Sequence, residues 1–439
     1  MPRRVADWLR GRGGFAWTFL WVSGARVAML GVSLLGSIII YRGLASGSSD
    51  MVLAGQFAIS MAIVRILTNS VGGAADLVVM RRVPVLYRSD PDAASDVVRT
   101  AFLLRVTTTS AVVAAAFVMG SWFADRFLHG AEFAPLVPLI CVAALGELLL
   151  RSELAWFQAT EQFDRFIMFE GLFQASRFLV TLILAATQSL SVIAILVTYA
   201  VTGLCATLLA ATRLPKSLFT LRAIPGPVIR EAAQFFGWMV FAFGLAAGTE
   251  RLDLFLLGRF KGAQDVGLYG GVLTLAVIPD FIGGLLVTVL QPRVIRLQES
   301  GGLLAFTRKL TLGLIPLGLI AAGVVAFAAD PIIALALGPR FAPGATAFVV
   351  LAFASIAWLV LTPVPAMLIS MTAPRTATVL TVAQLAILLG GAVFLIPTYG
   401  ATGAAVLVAG TRLIIASAIV IIGLRMMRRP GTVGTLSPH

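Results

Sequence analysis

Stretches of about 20 apolar residues recur along the whole chain, and this pattern constrains the fold more than any other feature. The residues are 59% hydrophobic and 12% charged, and the mean hydropathy is +0.98, values that exclude a soluble domain of this length. We therefore predict an all-α integral membrane protein with about twelve transmembrane helices. The predicted spans are 19–41, 52–75, 100–120, 134–158, 166–187, 190–211, 234–258, 268–290, 310–329, 345–370, 376–396 and 402–424.

The basic residues give these spans a direction. With the N-terminus in the cytoplasm, 21 of the 33 Lys and Arg residues lie on the cytoplasmic side, five lie outside and seven lie within spans. This asymmetry predicts that both termini are cytoplasmic, in a multi-pass protein of the inner (cytoplasmic) membrane. The net charge of +13 then reflects topology and affinity for anionic membrane lipids. No nucleic-acid partner is expected, because the chain has no basic soluble domain to bind one.

The chain also repeats itself. The tripeptide FAP opens the fourth span at 133–135 and the tenth at 341–343, an offset of 208 residues. Similar segments lead into the second span at 41–56 and into the eighth at 257–271, an offset of about 215. Both matches agree in helix number and in membrane side, so they indicate two homologous halves.

Each half contains six crossings. An even number returns the chain to its starting side, so the halves should have the same orientation around a central cavity that holds the substrate. We predict an N-terminal lobe over 1–211, a cytoplasmic linker over 212–230 and a C-terminal lobe with a short basic tail over 231–439. Pro215, Pro225 and Pro227 mark the linker.

Residues 248–297 resemble the seventh and eighth helices of the oligosaccharide flippases. In that family an acidic residue precedes a Leu-Gly turn, Val-Gly-x-Tyr opens helix eight, and a proline lies near its cytoplasmic end. The matching residues here are Asp253, Gly258, Val266, Gly267, Tyr269 and Pro292. Three further segments are similar to other links of the family, so the resemblance covers nearly the whole chain: ALGPRFAPGATAFVVLA, PTYGATGAA and FQATEQFDRFIMFEGLFQASRFLVTLIL.

The resemblance implies a flippase that carries a polyprenyl-pyrophosphate-linked oligosaccharide to the outer leaflet, by alternating access, for surface polysaccharide assembly. It implies this lipid and membrane lipids as partners, with a polysaccharide polymerase or export proteins as further ones, and we expect a monomer. The same superfamily contains the multidrug and toxic compound extrusion transporters. A cation-coupled multidrug antiporter is therefore the alternative, since that branch also has twelve helices.

Seven arginines lie within the predicted spans, where an unpartnered guanidinium is expensive. A cavity with excess positive charge suits an anion such as pyrophosphate, whereas a cation exporter needs uncompensated carboxylates. The carboxylates counted in the spans are Glu147, Glu153, Glu250, Asp253 and Asp280, with Asp76 at the inner end of the second span. The balance is mildly cationic and favours the flippase.

The arginines differ in depth. Arg105 and Arg151 are expected to snorkel to the cytoplasmic face. The predicted substrate-binding residues, for pyrophosphate or glycan, are Arg26, Arg65, Arg177, Arg251 and Arg412. Arg65, Arg177 and Arg412 lie mid-span, and for them a role in an ion pair within the protein is as open as a role in substrate binding.

Three acidic residues are candidates for counter-charges or for ion coupling. Glu250 and Asp253, three residues apart, share a helix face, and Arg251 points about 100° away from Glu250, so Arg251 can face the cavity alone. Asp280 follows Pro279 at a predicted kink. It is either a proton or sodium site or, as we favour, the partner of a mid-span arginine.

The sequence lacks the motifs that mark nucleotide-binding and metalloprotease sites. There is no phosphate-binding loop ending in Lys-Ser/Thr and no HExxH motif, and the only cysteines, Cys141 and Cys205, fall in spans. We therefore predict no catalytic residue, no metal and no cofactor. A membrane polysaccharide ligase or glycosyltransferase is disfavoured because the longest predicted outer loop, about 121–133, is too short for an acceptor domain.

The flippase hypothesis and the multidrug hypothesis predict opposite rankings of two substitutions by the damage that each does to transport. If the substrate is anionic, Arg251→Ala should reduce surface polysaccharide in a complementation assay more than Asp280→Asn, and the protein should confer no resistance to cationic drugs. Measurable efflux of a cationic dye, together with the reversed ranking, would instead identify the multidrug branch.

Overall fold

The computed structural model describes residues 14–46, 51–128, 131–220, 222–287, 303–364 and 374–427, and Pro292 lies outside them. Within these ranges the chain is helical and contains no strand. The α-helices are α1 (Gly14–Ala45), α2 (Val52–Leu67), α3 (Gly73–Ser89), α4 (Pro91–Phe123), α5 (Leu136–Ala159), α6 (Phe163–Ala186), α7 (Val192–Ala211), α8 (Gly226–Lys261), α9 (Ala263–Ala276), α10 (Ile278–Val287), α11 (Leu303–Ala336), α12 (Ala345–Leu361) and α13 (Pro374–Met427).

The helices account for twelve crossings. In the described residues, eight helices are long and apolar enough to span a membrane, and the bent pair α9 and α10 makes a ninth. Helices α5, with 24 residues, and α8, with 36, are also long enough to cross. The 54 residues of α13 form two helical segments on either side of a non-helical break at Gly400, and each segment is long enough to cross once. The prediction of an all-α membrane protein with about twelve spans is confirmed.

Of the breaks within the long helices of the described residues, which include one at Ala328 in α11, two lie at positions that the sequence explains. Within α13 the backbone leaves the helical region at Gly400, where φ is 55°, a conformation that glycine adopts without strain. Helices α9 and α10 meet at an angle of 42°, two residues before the proline at 279. Proline cannot donate the next helical hydrogen bond, so the bend lies where the sequence predicts a kink.

The chain divides into two compact units, Met1–Gly267 and Leu268–His439. In the first unit, α8 packs along α2 and α3: the ring of Phe243 lies against Gly73, and the guanidinium of Arg81 lies over the ring of Phe235. The division into six-helix lobes that the sequence repeat suggests, with a linker over 212–230, stays a prediction.

Arg105 does not snorkel, and that prediction is wrong. It is 1% exposed. Its Nη2 donates to the carbonyl of Gly72, at 3.0 Å, and to the carboxylate of Asp76, while its Nη1 donates to the carbonyl of Leu148, at 3.2 Å, and to the hydroxyl of Ser152. Arg105 therefore joins α4 to α3 and α5, and its charge is partnered inside the bundle.

Arg151 also turns inward, contrary to the snorkelling prediction. Its Nη1 donates to the carbonyl of Thr68 at 2.8 Å. Thr68–Gly72 is a π-helical turn between α2 and α3, so Arg105 and Arg151 bind carbonyls at its two ends. A π-turn breaks the regular i→i−4 ladder, which explains why these carbonyls are open to side chains.

A close contact between α5 and α7 depends on glycine. A Cβ on Gly146 would lie 2.7 Å from the carbonyl oxygen of Ala200, and one on Gly203 would lie 2.5 Å from the backbone of Gly146. The two backbones touch, as small residues allow in membrane bundles. The contact sets Glu147, on α5, opposite Tyr199, on α7.

Replacement of Arg105 should test its role as an internal cross-link. Arg105→Ala leaves the Asp76 carboxylate and two carbonyls without their donor, so the free energy of unfolding should fall by roughly 3–5 kcal/mol. Arg88→Ala is the matched control, because the side chain of Arg88 is 83% exposed and pairs at the surface with Glu161. Its loss should cost less than about 1 kcal/mol. Equal thermal unfolding of the two purified variants would contradict this role.

Candidate substrate site

The carboxylate of Glu147 is at the centre of a charged group in the first unit. Its oxygens lie 4.0 Å from Nε of Arg151, one turn further along α5, and 4.0 Å from Nη1 of Arg177 on α6. The side chains of Glu147 and Arg177 are 16% and 11% exposed, so the pair is mostly removed from solvent. One carboxylate is thus shared by two guanidiniums.

Two aromatic rings hold Arg177 in place. Its guanidinium lies 3.9 Å from the ring centroid of Tyr199 and 5.0 Å from that of Phe173. Such cation–π contacts stabilise a charge by about 0.5–2 kcal/mol. These contacts use no N–H donor of Arg177 in a hydrogen bond within the described part of the chain, so the donors can bind an anion.

Arg65 faces an open space inside the first unit. The helix that carries it is largely buried, yet Arg65 itself is exposed. It interacts electrostatically with Glu147, Tyr199 and Arg177 from α5, α7 and α6, and with Arg251 from α8. An exposed side chain surrounded by residues of four other helices must project into space between them. Among the described residues, the guanidinium of neither Arg65 nor Arg251 has a hydrogen bond or an ion pair within 4.0 Å, although the carbonyl of Arg65 accepts a hydrogen bond from Thr68.

Arg26 joins the same group from α1. Its guanidinium lies 5.2 Å from the ring centroid of Phe166, on α6, and it interacts electrostatically with Glu170. Glu170 also interacts with Arg151 and Glu147. We call this set the cationic cluster; its members are Arg26, Arg65, Arg151, Arg177 and Arg251, with the carboxylates Glu147 and Glu170. Five guanidiniums therefore face two carboxylates.

The fifth predicted arginine lies in the second unit. Nη1 of Arg412 donates to Oδ2 of Asp280 at 2.7 Å and to the hydroxyl of Ser355 at 3.1 Å, and this hydroxyl also donates to Oδ2, at 3.1 Å. The other oxygen, Oδ1, is buried and has no hydrogen-bond partner in the described part of the chain. Asp280 thus contacts an arginine, as one of its two predicted roles requires, and its function stays a prediction.

The two acidic residues of α8 have different surroundings. Glu250 is exposed, whereas Asp253 is 4% exposed and its Oδ1 accepts a hydrogen bond from the backbone N–H of Leu254 at 2.9 Å. Arg251, between them, is half-buried. The geometry thus brings together four of the five predicted arginines, Arg26, Arg65, Arg177 and Arg251.

Sequence reasoning missed Glu170 and Tyr199. Glu170 lies seven residues before Arg177, a spacing that places both on one face of α6, so the helical period could have identified it. Tyr199 carries no charge, and the packing of α7 against α6 brings its ring onto Arg177. No local pattern in the sequence indicates that contact.

The chain is similar to one described protein family and to several solved transporters. The family described as polysaccharide biosynthesis protein matches residues 55–346. The lipid II flippase MurJ, in an inward closed conformation, shares 10% identity at a TM-score of 0.75, covering 93% of this chain and 92% of that one. No curated protein sequence matches.

Two multidrug transporters have similar folds. An inward-facing multidrug resistance MATE family transporter of the MOP superfamily shares 13% identity at a TM-score of 0.70, covering 92% of this chain and 98% of that one. The Vibrio cholerae MATE transporter VcmN in the bent form shares 13% identity at a TM-score of 0.61, covering 94% and 98%. At these identities the similarity establishes the fold and leaves the substrate open.

Removal of the central carboxylate should strengthen anion binding. In Glu147→Gln the guanidiniums lose a counter-charge 4.0 Å away, so the protein should unfold at a lower temperature without anion and bind inorganic pyrophosphate on the order of tenfold more tightly, about 1.4 kcal/mol. Thermal unfolding over a pyrophosphate titration measures both effects. Glu132→Gln, at an exposed residue, is the control. Equal stabilisation of Glu147→Gln and the unmodified protein would contradict the site.

Proposed function

Because the chain belongs to the polysaccharide biosynthesis protein family, we propose that it is a flippase for an oligosaccharide linked to polyprenyl pyrophosphate. The observation that carries this proposal is the cationic cluster, in which five guanidiniums face two carboxylates inside a membrane-spanning bundle. The cargo of such a flippase has an anionic head group that must leave water to cross the hydrocarbon core. Fixed cations offset that loss of hydration.

Arg65 and Arg251 are the best placed to contact the pyrophosphate. They lack ion-pair partners among the described residues, so an incoming anion does not have to break an existing pair. Arg177 contacts two rings, which restrict its side chain before the ligand arrives and so reduce the entropic cost of binding. Arg26 adds a fourth guanidinium from the first helix.

Arg412, by contrast, is a weaker candidate for a ligand contact. Its charge is met by Asp280 at 2.7 Å, and a pyrophosphate would have to displace that carboxylate. We propose that this pair acts within the second unit, as a fixed partner or as an ion pair that opens during transport. Glu250 and Asp253 stay proposed counter-charges on the helix that carries Arg251.

The multidrug alternative fits these charges less well. The solved multidrug transporters share the fold, but a cationic drug would be repelled by the excess of guanidiniums in the cluster. The carboxylate of Asp280, which could serve an organic cation or a coupling ion, is already paired with Arg412. The flippase is therefore the function that the site supports best.

The remaining features of the proposal come from the sequence. We propose alternating access between the two lobes predicted by the repeat, in a protein of the cytoplasmic membrane with both termini in the cytoplasm. The proposed partners are the polyprenyl-linked oligosaccharide, the surrounding lipids, and a polysaccharide polymerase or export proteins. Transport requires no covalent chemistry by the protein, so we propose no catalytic residue or cofactor.

Transport in reconstituted vesicles tests the proposal. The unmodified protein should move a fluorescent undecaprenyl-pyrophosphate-linked oligosaccharide between leaflets, measured by access of a membrane-impermeant quencher. Arg26→Ala and Arg251→Ala should each reduce the rate at least about tenfold, and should abolish surface polysaccharide in cells while the protein stays in the membrane. The corresponding Arg→Lys variants should recover only part of the rate, because lysine keeps the charge but loses the bidentate fork.

The exposed Arg88→Ala is the control for these variants and should transport normally. Full transport by both Arg26→Ala and Arg251→Ala would overturn the anion site. Efflux of cationic dyes by the unmodified protein, without movement of the labelled lipid, would replace the flippase with a multidrug transporter.

A further inference from the structure

The segment between α7 and α8 contains a short 3₁₀ helix, Lys216–Phe219, with two different faces. Side chains three residues apart lie above one another in a 3₁₀ helix, so Lys216 and Phe219 share a face. Both residues are exposed, and Phe219 is 59% exposed. Leu218, by contrast, packs against the hydrophobic core of the first unit. The helix therefore presents a cation and an aromatic ring away from the protein.

Two hydrogen bonds fix the backbone of this segment to the first unit. The hydroxyl groups of Ser217 and of Ser95, on α4, lie 3.0 Å apart. The carbonyl of Arg213 accepts a hydrogen bond from Nη1 of Arg165, on α6, at 3.2 Å. The segment is thus held in place, while the exposed side chains of Arg213 and Lys216 can reach an external partner.

Other cations at this membrane face, where α7 ends and α8 begins, are already paired. Among the described residues, the side chains of Arg213 and Lys216 have no hydrogen bond and no ion pair within 4.0 Å. Their two charges are therefore available to an anion from outside the protein. The paired cations, each with its carboxylate, are Arg82 with Glu231, Arg88 with Glu161, Arg99 with Asp96, and Arg222 with Asp92.

The two free charges lie at the level of the lipid head groups. Arg213 is two residues beyond the end of the membrane-spanning helix α7, and the head-group layer extends roughly 5–8 Å beyond the hydrocarbon core. Leu208 and Leu209, in the last turn of α7, are 70% and 52% exposed, as residues in contact with lipid are. We call Arg213, Lys216 and Phe219 the linker surface, and it follows directly on this apolar surface.

The chemistry of the linker surface selects an anionic lipid. Basic side chains at a membrane surface place their charges at the phosphates, and an aromatic ring lies at the boundary between head groups and acyl chains. A soluble anion neutralises the two charges but leaves the ring of Phe219 in water. A zwitterionic lipid covers the ring but brings no net charge. An anionic phospholipid does both.

We propose that the linker surface binds an anionic phospholipid, with the phosphate at Arg213 and Lys216 and the ring of Phe219 against the acyl chains. The inference does not depend on the cargo, because none of these residues belongs to the cationic cluster. The bound lipid holds the segment that joins the two predicted halves against the first unit. It therefore stabilises the folded protein, beyond the general attraction of a basic face to a charged membrane.

Lipid-induced thermal stabilisation of the full-length protein in detergent tests this site. The probes are dioleoylphosphatidylglycerol and dioleoylphosphatidylcholine, which share their acyl chains and differ in net charge. The unmodified protein should bind the anionic lipid more tightly. When Arg213→Gln and Lys216→Gln are combined, this preference should fall roughly 25-fold, because each basic residue at a charged membrane surface contributes about fivefold. The affinity for the zwitterionic lipid should stay unchanged.

Two further double variants separate a site from a general effect of charge. Arg88→Gln with Arg222→Gln removes the same charge from the same face, but at cations already paired with carboxylates, and should lower the preference by less than about fivefold. Arg213→Lys with Lys216→Arg keeps both charges and should keep the preference. Equal losses in the two charge-removing variants, or a preference retained without Arg213 and Lys216, would overturn the inference.

A third pair of measurements separates a lipid from a soluble anion. Phe219→Ala should weaken the binding of both lipids by a similar factor and keep the preference, because the ring contacts acyl chains that both lipids share. Glycerol 3-phosphate, which has the phosphate without the chains, should bind at least about tenfold more weakly than the anionic lipid. Binding of glycerol 3-phosphate as tight as that of the lipid, or unchanged lipid binding by Phe219→Ala, would overturn the lipid site and leave the proposed flippase intact.

Discussion

The cost of holding a guanidinium inside a membrane determines how the first unit of this protein is built. Arginine cannot lose its proton, so each one at depth must find an anion, a carbonyl, an aromatic face or an open space. Arg105 uses carbonyls and a carboxylate and is fully buried. Arg177 uses ring faces and a shared carboxylate, and Arg65 uses the open space. The same energetic cost thus explains both the arginines that are partnered within the protein and those that stay available to a ligand.

Backbone irregularity makes this arrangement feasible. The π-turn Thr68–Gly72 presents carbonyls to Arg105 and Arg151, and these two arginines tie α4 and α5 to the middle of the second span. The contact between Gly146 and Gly203 joins α5 to α7, which carry Glu147 and Tyr199, and both of these side chains approach Arg177. Helix α5 is therefore fixed on both sides before any ligand binds, and a fixed charge stabilises an anion without reorganising.

How far the sequence predicts these features depends on how local their causes are. The spans follow from the lengths of apolar runs, and the bend before Pro279 follows from a missing N–H, so both are readable from the chain alone. Depth within a span is also readable, and it selected Arg65, Arg177 and Arg412 as mid-span candidates. The partners of a buried charge cannot be read from its neighbours in sequence. Arg105 was predicted to snorkel because nothing near it in the sequence reveals that the carbonyls of Gly72 and Leu148 accept its hydrogen bonds.

The two carboxylates of the cationic cluster fit a site that must release its cargo as well as bind it. A cluster of guanidiniums alone would bind an anion so strongly that release would be slow, and its own repulsion would destabilise the empty protein. Glu147 and Glu170 supply part of the counter-charge when the site is empty. An anion that enters competes with them for the same guanidiniums, so the net gain is smaller than the number of contacts suggests. In the proposed flippase, this competition keeps the bound and empty states close enough in free energy for a transport cycle to proceed.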